Sequence, residues 1–205
     1  MTTFITLGPE GSNHHFVLKR YLAAHGLADT ARIELVEDFH QGASALWVGC
    51  ADFMLQCAVH PAMPEITALY RKDVFVVDAF ISPSRPMALV RSRVSHWMPA
   101  RVAVQPATQH YADLSAWAEI VFEPTVSAVG AGLLEGRYQA GIAFASLADE
   151  HPEQFEVQEF IGAICDAWVV FGTRPVDEGR AIVWTQSPVA KLYRDAASPR
   201  GRARS

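Results

Sequence analysis

Thr3-Phe4-Ile5-Thr6-Leu7-Gly8-Pro9-Glu10-Gly11-Ser12-Asn13 is a short β-prone run that breaks at a glycine and a proline, then offers two capping side chains. Gly8 and Pro9 stop a strand, and Ser12 or Asn13 can accept from the first free amides of a helix. Apolar positions Phe16, Val17, Tyr21, Leu22 and Ala24 follow at helical spacing, and Gly26 ends the run. Strand, tight turn and helix in this order begin an α/β chain.

The rest of the sequence repeats the alternation. Arg32–Val36 reads as a strand, and Asp38 as the N-cap of a helix through Phe39, Ala43, Leu46 and Trp47. Phe53–Ala58 is an apolar run of the kind found in a doubly covered strand. Val74–Ile81 and Met87–Val90 read as strands separated by Ser82-Pro83-Ser84-Arg85-Pro86, the candidate crossing between two lobes. Arg101–Val104 ends at Gln105-Pro106, and a helix through Tyr111, Leu114 and Trp117 is expected next. Ile120–Phe122 precedes Pro124-Thr125, which opens a helix containing Val126, Val129, Ala131 and Leu133. Ala140–Phe144 is a strand with a short helix Ala145–Glu150 behind it. Phe155–Phe160, Ala167–Phe171 and Ala181–Trp184 are the last strand candidates. Strands alternating with helices predict an α/β fold with mainly parallel sheets.

The 17 Lys+Arg against 22 Asp+Glu give a net charge of −5, and half the 205 residues are hydrophobic. That composition excludes a disordered chain and gives no support for a nucleic-acid surface. The basic run Pro199–Ser205 reads as a solvated end. No apolar run is long enough to cross a bilayer. With no signal-like opening and three cysteines (Cys50, Cys57, Cys165) lacking CxxC spacing, the expectation is a cytoplasmic protein with free, mostly buried thiols.

Two lobes in an α/β chain bind a ligand between them, at strand C-terminal ends and helix N-termini. Three loops are selected: Gly8–Asn13, Gln105–Gln109 and Glu123–Ser127. Each brings small or hydroxyl side chains and free amides to a helix start, where about half a positive charge favours a carboxylate or phosphate. Ser12, Thr108 and Thr125 serve equally as plain helix caps. Gly8–Gly11 is neither a dinucleotide fingerprint nor a P-loop.

Thr6-Leu7-Gly8-Pro9-Glu10-Gly11-Ser12 resembles the opening motif of the prephenate dehydratase catalytic domain. Val36-Glu37-Asp38-Phe39, Gly49–Phe53, Glu123–Ala128 and Ala140–Ala143 follow in an order similar to that family's, so the resemblance covers about residues 4–172. It implies a two-lobed, periplasmic-binding-protein-like (type II) α/β fold with a ligand cleft between lobes. Lobe one is expected at about 1–81 plus 162–205, and lobe two at about 82–161. It also implies a cytoplasmic enzyme without cofactor, and a homodimer by analogy. The family's ACT regulatory domain has no counterpart here, so feedback by phenylalanine through it is not expected.

The departures narrow the reading. Where dehydratases carry Thr-Arg-Phe, the chain reads Ile164-Cys165-Asp166-Ala167-Trp168-Val169-Val170-Phe171. The Pro-x-Glu-Asn-Ser loop is replaced by Cys57-Ala58-Val59-His60-Pro61, and the Ser-His-Pro loop by Val104-Gln105-Pro106. A Trp with an apolar run ending in Phe is similar to the non-aromatising prephenate decarboxylases of antibiotic biosynthesis, the bacilysin-pathway enzyme among them. The resemblance therefore implies loss of carbon dioxide from prephenate with the ring hydroxyl retained. A dehydratase with an altered site and a non-catalytic small-carboxylate binding protein stand as alternatives.

For a dicarboxylate substrate the expected binding residues are Gly8, Pro9, Glu10, Gly11, Ser12, Asn13, Arg85, Gln105, Thr108, Thr125 and Ser127. Arg85 reads either as a bidentate carboxylate clamp or as an inter-lobe surface residue. Trp168 is the expected apolar wall. His14 and His60 are the expected proton donors, with His110 and Glu10 also considered. His14-His15 is no metal pair, because adjacent helical residues do not share a face. Trp47, Trp97, Trp117 and Trp184 read as packing.

Overall fold

The computed structural model describes residues 1–94 and 100–197, so Trp97 and the basic run 199–205 lie outside the described residues. Met1–Arg174 is one compact unit and Pro175–Ser205 another. The first unit holds two five-stranded sheets. Sheet one is built from β1 (Thr2–Leu7), β2 (Ala31–Val36), β3 (Phe53–Cys57), β4 (Phe75–Pro83) and β10 (Cys165–Gly172), in the order β2-β1-β3-β10-β4. Sheet two is built from β5 (Met87–Ser92), β6 (Arg101–Val104), β7 (Glu119–Phe122), β8 (Ala140–Phe144) and β9 (Phe155–Gly162), in the order β7-β6-β8-β5-β9. The chain passes between them at Ser84–Pro86 and returns at Ala163–Ile164.

Both sheets are mixed. Strands β2-β1-β3 and β7-β6-β8 are parallel, while the passing strands pair antiparallel, β10 with β3 and β4, and β5 with β8 and β9. The expected parallel arrangement therefore holds for one three-stranded block in each sheet. The other strands run antiparallel because the chain leaves and re-enters each sheet at the same end.

Both faces of each sheet are covered, by helices on both sides of sheet one and by helices and the irregular segment 109–118 on the two sides of sheet two, which is why central strands are unbroken apolar runs. Met54–Cys57 of β3, Met87–Val90 of β5 and Ala140–Ala143 of β8 are buried at every position. On one face of sheet one, α1 (Asn13–Ala24) sets Val17, Leu18 and Leu22 against Phe4, Leu55, Trp168 and Val170. On the other face, α2 (Phe39–Trp47) and α3 (Met63–Leu69) bring Phe39, Leu46 and Ile66 onto Ile5, Met54 and Phe171. Sheet two takes α4 (Val126–Leu134) and α5 (Ser146–Glu150) on one face, and Leu114, with Tyr111 and Trp117 partly buried, on the other.

Two expected elements are absent. The apolar spacing of Tyr111, Leu114 and Trp117 packs without a helix. After the single turn Pro106–Thr108, the Asp113 carboxylate accepts from Ser115 N–H (2.9 Å), a local bond that competes with helix formation. Ala181–Trp184 is irregular, with Ile182, Val183 and Trp184 exposed and no strand pairing with them among the described residues. The second unit instead forms α6 (Val189–Ala197). Helix α3 was not read from the sequence; only Ile66 in it is buried, too little to set a period. Of the cysteines only Cys57 is buried; Cys50 and Cys165 are exposed free thiols. Among the described residues no helix is long and apolar enough to cross a membrane.

Where β8 passes under α4, a Cβ on Gly141 would meet Val129 Cγ1 at 2.5 Å and the Ala103 carbonyl at 3.0 Å. Gly141→Ala is expected to destabilise the chain by about 1–3 kcal/mol through this overpacking, read as a lowered urea midpoint with unchanged slope.

Candidate functional site

The two sheets face each other across a cleft enclosing about 850 Å³ of empty space, its open mouth included. From the first sheet's side it is lined by Leu7, Gly8, Ser12, Asn13, His14, Cys57, Val59, His60, Pro61 and Asp166. From the second sheet's side come Met87, Gln105, Ala107, Thr108, Tyr111, Pro124, Thr125, Val126, Ser127 and Phe144, with Ser84 at the crossing. All three loops selected from the sequence reach it.

Two helices point their N-termini into this space. The Ser12 side chain caps α1, accepting from His15 N–H, and the Thr125 side chain caps α4, accepting from Ala128 N–H. The first-turn amides beyond each cap have no partner within the helix. Asn13 and His14 on one helix, and Val126 and Ser127 on the other, carry those amides along the cleft wall. Two such ends favour an anion without any cationic side chain. Among the described residues lining the cleft there is no lysine or arginine.

Several expected ligand contacts are committed elsewhere. Ser12 donates its proton to the Leu7 carbonyl (3.0 Å) and Thr108 donates to the Gln105 carbonyl (2.9 Å), so neither hydroxyl is a free donor. Asn13 Oδ1 accepts from Arg85 N–H (3.0 Å), and Gln105 Oε1 from Ala107 N–H (2.7 Å). Each leaves its amide nitrogen as a donor. The Thr125 hydroxyl keeps its proton, and Ser127 makes no side-chain hydrogen bond among the described residues. Pro9 and Glu10 are exposed, and neither they nor Gly11 line the cleft; His110 is exposed outside it.

Arg85 is not a ligand clamp. Its guanidinium donates to the Gly11 carbonyl and to Ser146 Oγ (3.2 Å) and lies 4.0 Å from the Phe144 ring centroid. It therefore ties the α1 loop to the second sheet through two of its donors and does not line the cleft. Trp168 is not a cleft wall either. It is fully buried, donates from Nε1 to the Ser82 carbonyl (3.3 Å) and meets the His14 ring edge-on at 5.1 Å. Position 168 alternates onto the α1 face of its strand, so the indole supports His14 from below.

The histidines differ from the expected acids. His14 is enclosed by Phe39, His60 and Trp168. Desolvation there, and then the neighbouring His60, lower its pKa to about 3. Its Nε2 accepts from Cys57 N–H (3.4 Å), which assigns the proton to Nδ1. His60 is lowered by burial as well, and its Nδ1 accepts from Ala62 N–H (3.2 Å). Both rings are neutral at neutral pH and neither arrives as an imidazolium. Burial in turn raises the Cys57 thiol, the Tyr111 phenol and the Asp166 carboxyl above their ordinary values.

Tyr111 and Asp166, with Cys57 and Ser84, are the polar cleft residues that the sequence does not assign to the site. The spacing around Tyr111 predicts a helix that does not form. Asp166 stood only in the comparison with Thr-Arg-Phe, although an acid at the head of a buried apolar strand was itself a signal. Among the described residues no three His, Cys, Asp or Glu side chains converge as metal ligands do.

No family model and no curated protein matches the chain. Among solved structures it is similar to a prephenate dehydratase of Arthrobacter aurescens in complex with L-phenylalanine, at 18% identity and TM-score 0.62, covering 88% of this chain and 63% of that one. It is also similar to a quorum-quenching acylase of a novel type, at 15% identity and TM-score 0.54, covering 85% of this chain and 65% of that one. A third similar structure is the prephenate dehydratase of Staphylococcus aureus, at 13% identity and TM-score 0.54, covering 86% and 67%. The chain spans less than two thirds of the length of the first two. The architecture is thus the two-lobed, periplasmic-binding-protein-like α/β fold, shared with prephenate dehydratase.

Two outcomes follow from this site. Thr125→Ala is expected to cost about 1 kcal/mol of stability through the lost cap and to weaken carboxylate binding, read by urea titration and ligand-observed NMR. For His14, the unfolded ring takes a proton near pH 6.5 while the folded one resists until about 3. Stability is therefore complete above pH 6.5 and falls as pH drops through that window. The loss is on the order of 2 kcal/mol once solvent at the cleft edge is discounted. His14→Gln is expected to reduce the difference between urea midpoints at neutral pH and at pH 4.5, the remainder coming from His60 and His15, which burial also lowers.

Proposed function

We propose that this chain is a cofactor-free lyase acting on prephenate or a close cyclohexadienyl acid, with non-aromatising decarboxylation as its reaction. One observation carries the reading. The cleft offers two helix N-termini with Asn13, Thr125 and Ser127 for one carboxylate, and no lysine or arginine among its described lining residues for a second. A carboxylate held without a counter-ion beside apolar side chains such as Val59, Met87 and Phe144 is poorly solvated. Carbon dioxide carries no charge, so its departure relieves that cost. An arginine there would stabilise the ground state and slow the loss.

The residue at position 168 supports the same choice. A hydroxyl at that point of the strand, as in the dehydratase motif, would assist departure of the ring hydroxyl; Trp168 is buried beneath His14 and offers none. Retention of the hydroxyl is the outcome this favours.

Proton NMR of the protein with prephenate at neutral pH, against a control without protein, tests the proposal. The expected result is carbon dioxide release with vinylic and carbinol protons retained. Aromatic phenylpyruvate signals would overturn decarboxylation in favour of dehydration. An unchanged spectrum would overturn lyase activity on prephenate and leave small-carboxylate binding.

A further inference from the structure

We infer that Asp166 is the proton donor of the cleft, the acid that protonates the ring as its carboxylate leaves. The inference rests on the reading of the cleft as a lyase site and names the group that reading still needs.

The geometry singles this residue out. Asp166 is the one Asp or Glu among the described residues lining the cleft. Its backbone is fixed opposite Ser82, where β10 emerges from the crossing. Along β10 it shares a face with Trp168 and Val170, the face that α1 covers. It therefore follows Trp168 and His14 outward to the cleft, under the N-terminus of α1. Its carboxyl makes no ion pair and no side-chain hydrogen bond among the described residues, so nothing in the protein holds its proton or its charge.

The other titratable groups lining the cleft are His14, Cys57, His60 and Tyr111, and none competes as an acid. The two histidines are neutral and each has one ring nitrogen occupied as an acceptor, so any proton they gave would come from a neutral imidazole. Burial holds the Cys57 thiol and the Tyr111 phenol above their ordinary values, further from donating near neutrality. Burial also raises the Asp166 carboxyl, which favours its protonated form and moves it towards the range of an effective acid. An incoming anion adds to that effect.

The step balances with one proton. The bond between the quaternary ring carbon and its carboxylate breaks, and carbon dioxide leaves. The electron pair becomes a new ring double bond, the adjacent double bond shifts, and the far carbon takes the proton from Asp166. Solvent then returns a proton to the carboxylate. No oxidant or reductant takes part.

The test compares the 205-residue chain with Asp166→Asn and Asp166→Glu, using prephenate as the probe. Turnover is followed by NMR across pH, and binding by saturation transfer. Asp166→Asn is expected to lower kcat at least about 100-fold with binding within about threefold. The wild type is expected to lose rate as pH rises through the Asp166 transition, and Asp166→Glu to recover part of kcat with that alkaline limb displaced. An Asn variant that binds prephenate and turns over within about threefold of wild type overturns the assignment and leaves the lyase reading standing. Should the Asn variant fail to fold, the Glu variant decides, and an alkaline limb that does not move overturns the assignment. A wild type that releases no carbon dioxide overturns the lyase reading, and this acid role with it.

Discussion

Two short hydrogen bonds join the passages by which the chain leaves and re-enters its first sheet: Ser84 N–H to the Ile164 carbonyl (2.8 Å) and Ile164 N–H to Ser84 Oγ (3.1 Å). They extend the antiparallel ladder of β4 and β10, whose last pair is Pro83 opposite Cys165. Much of the molecule follows from that join. Each sheet must end its parallel block with antiparallel passing strands, and both sheets then present strand ends and helix starts to one cleft. Arg85 adds a strut one residue further on, with its backbone on Asn13 and its guanidinium between Gly11 and Ser146. An arginine in a cleft loop is expected to meet a ligand; here the join places it between two protein surfaces, which satisfy it first.

The electrostatics of the cleft rest on dipoles and burial. Two helix N-termini supply the positive potential, and the histidines, which could have supplied more, are kept neutral by their surroundings. His14 in particular sits in an aromatic box of Phe39, His60 and Trp168, where a proton would lose its hydration without gaining an anion. A site of this kind can seat a carboxylate by its oxygen atoms while leaving other parts of a ligand without charge compensation. That asymmetry distinguishes the cleft from one built on arginine, and it gives the single carboxyl at Asp166 its weight.

Local chemistry was legible in the sequence wherever a residue acts on its near neighbours. Ser12, Asp38 and Thr125 are N-caps as expected, each accepting from an amide three residues on. The apolar runs of β1, β3, β5 and β8 lie where their β-branched and aliphatic residues put them. Tyr111, Leu114 and Trp117 show the limit of the same logic. Their spacing records a shared packing surface, and an Asx turn at Asp113, two residues from the start of the pattern, redirects the backbone without moving that surface away from the core.

The amino-acid sequence by itself determined the alternation of elements, the caps and the loops that meet at the cleft, because these depend on interactions within about four residues. Tertiary structure alone decided which side chains in those loops remain free. The guanidinium of Arg85 and the indole of Trp168 are each claimed by an acceptor and a packing partner. For Arg85 and Trp168 that partner lies dozens of residues away, and no local pattern encodes it. Asp166 is the converse case: pairing between β10 and β4 places it at the cleft, and burial there, set by elements distant along the chain, gives its carboxyl its character.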